Sequence, residues 1–356
     1  MDISLFMNQG ILSIARTAAK FYFTDKKNRR FIMDFTPQLT RNAKIRAEQE
    51  RNGIHIPPFL IASIASHCNL HCTGCYARAD GACSDHQQKS ELTAHQWNHI
   101  FDQAHTLGIS FILLAGGEPL LRKDILSLAG NYPDIIFPVF TNGTLIDEYY
   151  TDLFQNCRNL IPVLSMEGTT ADTDQRRGAG IADQLSQVMS GLKQRHILYG
   201  TSVTVTHHNL EYVTGRQFVD GLGNQGCSII FYVEYVPVEK GTESLILTDD
   251  DLKLLHTNVL RLKADCEKMI ILSFPGDEAA MGGCLAAGRG FFHINPTGGA
   301  EPCPFSPYSK LNLAQSSLLE VLQSDFFEKV RAIEENAGNH QGGCTLFAYR
   351  QEVESI

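Results

Sequence analysis

The sequence predicts an α/β fold: a partial (βα)6 barrel of the TIM type, with an N-terminal helical segment and a C-terminal α+β extension. Three features of the 356-residue chain predict it. Short apolar runs alternate with helix-like segments from about residue 58 to about 238, the alternation stops after about 240, and the first 52 residues differ in charge from the rest. Apolar strands separated by helices indicate a parallel sheet covered on both faces. The predicted units are residues 1–55, 56–240 and 241–356.

The six predicted strands follow one another regularly along the chain. They are the apolar runs 59–64, 110–115, 135–140, 161–166, 201–206 and 228–236. Helices are predicted between them around 93–107, 121–129, 146–156, 183–195 and 210–222, and Thr93 is a suitable N-cap for the first. Because sites in such barrels gather at the carboxyl ends of the strands, the polar motifs that follow each strand are the first candidates for function.

The N-terminal segment is basic, with ten Lys or Arg against five Asp or Glu in its first 52 residues. Apolar residues recur at near-helical spacing over 11–19, close to the basic run 26–30. This pattern predicts a helix with two alternative roles. It is either an amphipathic helix that makes peripheral contact with a membrane surface or an acidic partner, or a cap packed against the barrel.

Composition narrows the class of protein. The net charge of −9 argues against nucleic acid as an obligatory partner. No run of about 18 apolar residues predicts a spanning helix, and the first residues lack the pattern of a secretory signal, so we expect a cytoplasmic location. In such a reducing compartment the ten cysteines are metal ligands or buried thiols rather than disulfides.

Three cysteines form a CxxxCxxC pattern directly after the first predicted strand: Cys68, Cys72 and Cys75. Thiolates are soft ligands that suit zinc or iron–sulfur clusters. Three thiolates on one loop can hold three corners of a cubane and leave its fourth iron open. The alternative is a zinc site, for which His67 or His71 would complete the usual four ligands.

This loop resembles that of the radical S-adenosylmethionine (SAM) superfamily. The resemblance implies a [4Fe–4S] cluster on the three cysteines, with SAM chelating the open iron through its amino and carboxylate groups. It also implies that one electron, from a donor such as flavodoxin or ferredoxin, cleaves SAM to methionine and a 5′-deoxyadenosyl radical that abstracts hydrogen from a substrate. One position departs from the family, which usually has an aromatic residue where this chain has Gly74. The departure concerns the packing of the adenine, to which Tyr76 is the candidate contributor.

The resemblance also implies SAM contacts at the next strand ends. The motif Gly116, Gly117, Glu118 and Pro119 is expected to receive the SAM amino group, since glycines permit close backbone approach and a carboxylate pairs with an ammonium. Polar contacts to the ribose and to the methionine carboxylate are expected from Asn142, Ser165 and Glu167, and an ion pair with that carboxylate from Arg177 or its neighbour Arg176. Glu234, in an apolar strand, is a candidate for substrate binding or proton transfer, or belongs to a structural pair.

A second group of cysteines lies near the C-terminus: Cys284, Cys303 and Cys344. A helix is predicted over 248–268, a hairpin over 291–303 and another helix over 318–333. This arrangement resembles the SPASM/twitch extension of radical SAM enzymes, which implies an auxiliary [4Fe–4S] cluster. Because no cysteine follows Cys344, one auxiliary cluster is expected rather than two. Cys266 is the candidate fourth ligand, and otherwise the fourth iron is open to substrate.

The sequence therefore predicts a radical SAM enzyme, with oxidoreductase, transferase or lyase chemistry. The expected substrate is a peptide or protein side chain, slightly preferred, or a small metabolite. Two alternatives stay open at this point. One is a radical SAM methyltransferase, and the other is a zinc or iron–sulfur binding module without catalysis.

Overall fold

The computed structural model describes residues 26–88, 90–266, 269–336 and 344–356. The apolar helix expected over residues 11–19 lies outside this part of the chain. In the described part, a nine-stranded sheet has the order β7-β6-β5-β4-β3-β2-β1-β8-β9. The strands are β1 Phe59–Ala65, β2 Phe111–Gly116, β3 Phe137–Thr141, β4 Leu160–Met166, β5 Gly200–Val205, β6 Ile229–Glu234, β7 Ile270–Phe274, β8 His293–Ile294 and β9 Ala300–Glu301.

All neighbouring strands from β7 to β8 pair in parallel, and β9 pairs antiparallel with β8. The helices are α1 Lys26–Arg51, α2 Tyr76–Ala79, α3 Ala94–Leu107, α4 Lys123–Ala129, α5 Glu148–Asn156, α6 Thr170–Arg177, α7 Ile181–Gln194, α8 Leu210–Val213, α9 Arg216–Gln225, α10 Asp249–Asp265, α11 Leu318–Leu322, α12 Asp325–Asn336, α13 Thr345–Ala348 and α14 Arg350–Ser355. Short 3-10 turns occur at Pro119–Leu121, Glu243–Leu245 and Gly276–Met281.

The parallel α/β barrel is confirmed, and it is longer than predicted. The expectation that the alternation stops after about residue 240 was wrong, because α10 leads into a seventh parallel strand, β7, which pairs with β6 from Ile229–Ile270 to Val233–Phe274. A five-residue apolar run is too short to distinguish from a loop by periodicity alone, which is why β7 escaped the sequence analysis.

Helix α1 covers the end of the barrel where the strands begin. The Asn42 side chain donates to the carbonyl oxygen of Asp134 at 3.2 Å, and the Arg46 guanidinium donates to the Ser110 hydroxyl at 3.0 Å and to the carbonyl oxygen of Gly108. Ser110 directly precedes β2, so α1 is held against the amino ends of the strands. The described part of the N-terminal segment therefore acts as a cap. Within the described residues, no helix is long and apolar enough to cross a bilayer.

The predicted C-terminal hairpin is confirmed as β8 and β9, and it joins the barrel sheet. Ser63 on β1 lies with its hydroxyl 2.8 Å from Nε2 of His293, and Nδ1 of His293 lies 2.7 Å from the Glu301 carboxylate. This buried chain of hydrogen bonds fastens the hairpin to the first strand. The helix expected over 318–333 is divided into α11 and α12, since the Ser324 hydroxyl accepts from the amide of Phe327 and begins a new helix.

Candidate active site

The loop after β1 brings three cysteines to one cavity. Cys68, Cys72 and Cys75 are half-buried and line a cavity at the carboxyl ends of the strands. Burial raises the pKa of Cys68 to about 11. Burial also raises the pKa of Cys72, and the nearby charges of Arg177 and Arg176 partly oppose this shift. Three neighbouring thiols that face a cavity are a soft donor set for iron.

Hydrogen bonds fix the backbone of this loop. The Arg78 guanidinium donates to the carbonyl oxygens of Cys68 at 3.2 Å and Leu70 at 2.9 Å. Nε of Arg176 donates to the carbonyl oxygen of Thr73 at 3.0 Å, and the Thr73 amide donates back to the Arg176 carbonyl at 3.0 Å. The loop is therefore held in position before a ligand binds, as a precise metal site requires.

The two histidines of this loop have carboxylate neighbours. Nε2 of His71 lies 2.8 Å from the Asp85 carboxylate, and Nδ1 of His67 lies 3.7 Å from Glu91. Among the residues that the structure describes, no three His, Cys, Asp or Glu side chains meet closely enough to hold a single metal ion. The thiolates of a cubane bind different irons and stand further apart than the ligands of one zinc ion. The zinc alternative needs His67 or His71 as a fourth ligand, and both histidines have carboxylate neighbours.

The end of β2 lies close against the cysteine loop because two glycines leave room for it. A Cβ on Gly117 would collide with the carbonyl group of His67, and a Cβ on Gly116 would lie 2.5 Å from the carbonyl oxygen of Ala65. The Gly117 amide donates to that same oxygen at 2.8 Å. Larger residues at 116 and 117 would push this strand end away from the cysteines.

Glu118 presents a buried carboxylate to the cavity. It accepts hydrogen bonds from the Thr141 hydroxyl at 2.6 Å, the Asn142 amide at 2.8 Å and the Leu120 amide at 3.0 Å. Burial raises the pKa of Glu118 to about 7, against the opposing effect of these donors. A positively charged group in the cavity would favour the ionised carboxylate. Pro119 follows as the first residue of a 3-10 turn and is buried.

Asn142 and Ser165 also line the cavity, at the ends of β3 and β4. The Asn142 amide group donates to Oδ1 of Asn69 at 2.9 Å and lies 3.8 Å from Sγ of Cys68. Its side-chain oxygen accepts from the Thr144 hydroxyl at 2.7 Å. Asn142 therefore connects the loop after β3 to the cysteine loop, and Ser165 lines the same cavity.

Two arginines share one buried carboxylate next to the cysteines. Glu167 accepts from Nη1 of Arg176 at 2.6 Å and from Nη2 of Arg177 at 2.7 Å. Burial raises the pKa of Glu167, but the two arginines outweigh it and hold this pKa below its usual value. Both arginines line the cavity, whereas Glu167 is not among its lining residues. Glu167 thus pairs with two arginines that line the cavity.

Comparisons with known proteins agree with this site. The family profile of the radical SAM superfamily matches residues 63–217, which contain the cysteine loop and the strand ends described above. The chain is a radical SAM enzyme. A [4Fe–4S] cluster and SAM are the cofactors of this superfamily, and hydrogen abstraction is consistent with the match.

The similarity to individual proteins extends beyond the residues that the family profile matches. An AdoMet-dependent heme synthase of Methanosarcina barkeri is 26% identical over 324 residues, which cover 83% of this chain and 89% of the relative. A second, from Oleidesulfovibrio alaskensis, is 24% identical over 317 residues, which cover 79% and 80%. Among solved structures, Streptococcus suis SuiB bound to S-adenosylmethionine shares the fold, with a TM-score of 0.68 and 18% identity over 92% of this chain and 84% of that chain.

The cavity of the enzyme has a volume of about 590 Å³ and extends from the cysteines through the barrel to α1. Its wall is mainly apolar, with many aromatic side chains from the inner faces of the strands. The polar groups concentrate at the cysteine end. Glu234, at the end of β6, is buried and lies there, with Oε1 3.1 Å from the position that a Cβ on Gly276 would take.

Three polar residues of this cavity were missed by the sequence analysis. Ser273, Asp277 and Glu278 lie at the end of β7 or just after it and line the cavity near Glu234. The rule that sites follow parallel strands would have found them, had β7 been recognised as a strand.

The second cysteine group forms where three separate segments meet. Cys303 follows β9 and lies beside Cys344, with Cys284 within electrostatic range. Burial raises the pKa of Cys303 well above its usual value, and the neighbouring cysteines raise it further. Cys284 and Cys303 are buried, and Cys344 is half-buried.

Cys266 does not belong to this group. It directly follows α10 and precedes β7, so it lies at the amino ends of the strands, opposite the cysteine loop. Its charged neighbours are Arg216, Asp220 and Asp265. The expectation that Cys266 supplies a fourth ligand therefore disagrees with the topology, because the chain crosses the length of β7 between Cys266 and Cys284.

Tyr76 lies between the two groups. Its ring packs edge-on against Phe305 with centroids 5.4 Å apart, and it lies within electrostatic range of both Cys75 and Cys303. Tyr76 also lines the cavity. It thus fills the space between the cysteine loop and the hairpin that carries Cys303.

Proposed function

We propose that Cys68, Cys72 and Cys75 hold the SAM-binding [4Fe–4S] cluster. The observation that carries this proposal is the set of three half-buried thiols facing one cavity beside a buried carboxylate and two arginines. The donor set fits the cluster, since thiolates are its normal ligands and the loop backbone is fixed by neighbouring elements. When bound, the cluster and SAM supply the 5′-deoxyadenosyl radical, which takes a hydrogen atom from the substrate.

Glu118 and the arginine pair are proposed to orient SAM. An ionised Glu118 accepts a hydrogen bond from the SAM amino group, and the closeness of the glycine turn to the cysteine loop lets backbone groups of Gly116 and Gly117 approach the same end of the ligand. Arg177, with Arg176 beside it, attracts the SAM carboxylate. Glu167 acts through these arginines as a positioning residue, and Ser165 and Asn142 offer hydrogen bonds to the remaining polar atoms.

We further propose that the substrate is a tetrapyrrole. Two relatives that match this chain over four-fifths or more of their own length are named AdoMet-dependent heme synthases. A flat macrocycle with a large apolar surface suits a cavity of about 590 Å³ with a mainly apolar wall. This proposal replaces the slight preference for a peptide, since the similarity to SuiB concerns the fold. Glu234 would then contact the substrate at the polar end of the cavity.

The second cysteine group is proposed to hold one auxiliary cluster. Cys284, Cys303 and Cys344 are near one another and adjoin the cavity through Tyr76 and Phe305. An iron–sulfur cluster there could accept the electron that a substrate radical loses on oxidation, with a flavodoxin or ferredoxin as the external electron donor to the first cluster. A domain division after β7 follows from this proposal, with the auxiliary unit beginning near residue 276.

One anaerobic experiment tests these proposals. The protein is reconstituted with iron and sulfide, its iron is counted, and it is incubated with SAM and dithionite, with and without an iron-coproporphyrin. We expect about eight irons per chain, as two cubanes require, and 5′-deoxyadenosine that increases with the porphyrin. Cys72→Ala should abolish 5′-deoxyadenosine.

Other outcomes would contradict particular parts of the proposal. About four irons with product would remove the auxiliary cluster, and S-adenosylhomocysteine as a second product would indicate methyl transfer. A product yield unchanged by the porphyrin, and no oxidised porphyrin by mass spectrometry, would reject the tetrapyrrole. Stoichiometric zinc without cleavage of SAM would leave a binding module.

A further inference from the structure

A buried ion pair between Glu91 and Arg122 lies at the base of the cysteine loop. Oε2 of Glu91 lies 2.9 Å from Nη1 of Arg122, and the two side chains are 2% and 7% exposed. Neither residue is among those that line the cavity. Because taking two charges out of water is costly, a buried pair needs further hydrogen bonds with good geometry. Glu91 and Arg122 make these bonds to the two chain segments that meet at the proposed SAM site.

Glu91 holds the segment that enters the cysteine loop. Its Oε1 accepts hydrogen bonds from the backbone amide of Ser66 at 2.6 Å and from the Ser66 hydroxyl at 2.5 Å. Its Oε2 accepts another from the Gln87 side chain at 2.6 Å. Ser66 is fully buried, directly follows β1 and stands two residues before Cys68. The Glu91 carboxylate therefore fixes the point at which the chain leaves β1 and begins the cysteine loop.

Arg122 belongs to the other segment, the turn after β2. It directly follows the 3-10 turn Pro119–Leu121. Besides its contact with Glu91, its guanidinium donates to the carbonyl oxygens of Ile64 in β1 at 3.0 Å and of Leu92 at 3.1 Å. A guanidinium is planar and presents its donors in fixed directions, so several simultaneous acceptors hold it in one position. Arg122 thus ties the turn after β2 to the end of β1.

The backbones of the two segments are also hydrogen-bonded directly. The Gly117 amide donates to the carbonyl oxygen of Ala65 at 2.8 Å. The Glu118 amide donates to the carbonyl oxygen of His67 at 2.9 Å. Just beyond this junction, the Glu118 carboxylate lies within electrostatic range of Cys68. The ion pair adds a side-chain connection to the junction, so the separation of Glu118 and Cys68 depends on it.

We propose that Glu91 and Arg122 act as one positioning pair, which holds the Glu118 carboxylate at a fixed distance from the cysteine loop. This inference rests on the proposed function, in which the loop holds the cluster and Glu118 accepts a hydrogen bond from the SAM amino group. The cluster and Glu118 then bind the same end of SAM. A shift of about 1 Å between two such partners is enough to weaken the binding of a ligand that must meet both.

The test is a double-mutant cycle between Arg122 and Glu118. The Kd of SAM is measured by calorimetry on the anaerobically reconstituted protein without a reductant, and iron is counted in every variant. Arg122→Gln should weaken SAM binding about tenfold, as loss of an outer-shell partner does at a metal site. In a protein that already carries Glu118→Gln, the same change should weaken binding by a further threefold or less (roughly), because the contact that Arg122 positions is already lost.

Arg46 offers a matched control at the opposite end of the barrel. It is also a buried arginine, and its guanidinium donates to the Ser110 hydroxyl and to the carbonyl oxygen of Gly108. Arg46→Gln should lower the free energy of unfolding in urea, as Arg122→Gln does, but leave the SAM affinity unchanged. Arg122→Lys is a second variant, which keeps a charge beside Glu91 but lacks the planar fork. It should weaken SAM binding about threefold or more.

The outcomes separate this inference from the proposed function. If the wild type holds iron but does not bind SAM, or if Glu118→Gln binds SAM as tightly as the wild type, the proposed SAM site is wrong and the inference falls with it. If each single variant weakens binding and the losses multiply in the double variant, the pair only stabilises the fold and the inference alone is wrong. An equal loss of SAM affinity in Arg46→Gln would also overturn it. If Arg122→Gln does not fold, the same cycle with Arg122→Lys decides between these outcomes.

Discussion

The two cysteine groups are built in opposite ways. Cys68, Cys72 and Cys75 come from one short loop, are half-buried and face a large cavity. Cys303 comes from the end of a hairpin that pairs with β1, and it meets cysteines from two other segments in a buried position. Cysteines on one loop can leave one side of a cluster open to a ligand. Cysteines from distant segments link those segments through the cluster that they bind.

This difference separates the expected consequences of losing each group. Ligands that are brought together only by the fold couple metal binding to folding, because the unfolded chain has no such site. When the ligands lie on one preorganised loop, loss of the metal mainly affects the chemistry in the cavity and affects folding less. The first group should therefore govern SAM cleavage, and the second should govern stability and the later fate of the substrate.

The largest expected effect is a crossed result between two cysteine variants. Cys72→Ala should reduce 5′-deoxyadenosine formation by more than the roughly 10–100-fold that loss of an outer-shell partner costs at a metal site. Cys303→Ala should retain this cleavage within about threefold but lower the thermal midpoint and abolish substrate oxidation. Both variants should hold about four irons. Product analysis and calorimetry measure the effects.

Cys227→Ala is the control for this pair, since Cys227 is a buried thiol near Thr201 and away from both groups. It should keep about eight irons and lose only packing energy. If Cys303→Ala lost SAM cleavage but kept its thermal midpoint, the proposed separation of roles between the two cysteine groups would be wrong.

The next effect concerns the charges beside the first group. Glu167→Ala removes the carboxylate that both arginines share and leaves two cations in a partly buried position, so we expect a loss of about 3–5 kcal/mol in the free energy of unfolding. Arg195→Ala, which breaks the exposed contact with Asp152, should cost about 1 kcal/mol or less. Urea unfolding of both variants measures the difference. Equal losses would mean that the Glu167 cluster is no more than a surface ion pair.

The smallest effect is a pH dependence at the first group. Burial raises the pKa of Glu118 to about 7, so protonation at lower pH removes the charged acceptor of the hydrogen bond from the SAM amino group. SAM affinity should therefore rise with pH, by about tenfold between pH 6 and pH 8 for one group with this pKa. Glu118→Gln should bind SAM more weakly at pH 8 and show a flat profile. A wild-type profile that is flat over the same range would assign the SAM amino group to another partner.

Local sequence patterns were sufficient to predict most strands of the barrel. The six predicted strands agree with β1 to β6 to within two residues at each end. Thr93 caps α3 through a capping box, as its spacing to Gln96 allows. These features depend on residues within a few positions of each other, where hydrophobic period and capping chemistry act directly. The cysteine loop was visible for the same reason.

The sequence by itself determined the cysteine loop, the strand-end motifs and the expected cofactors, since each is written within a short stretch of chain. Only the tertiary structure decided that β7 extends the sheet, that Cys266 lies apart from Cys303, and that Arg176 and Arg177 share Glu167. These facts depend on sheet order and on which ends of distant segments coincide. No local pattern carries that information, because residues far apart in the chain become neighbours only when the strands pair.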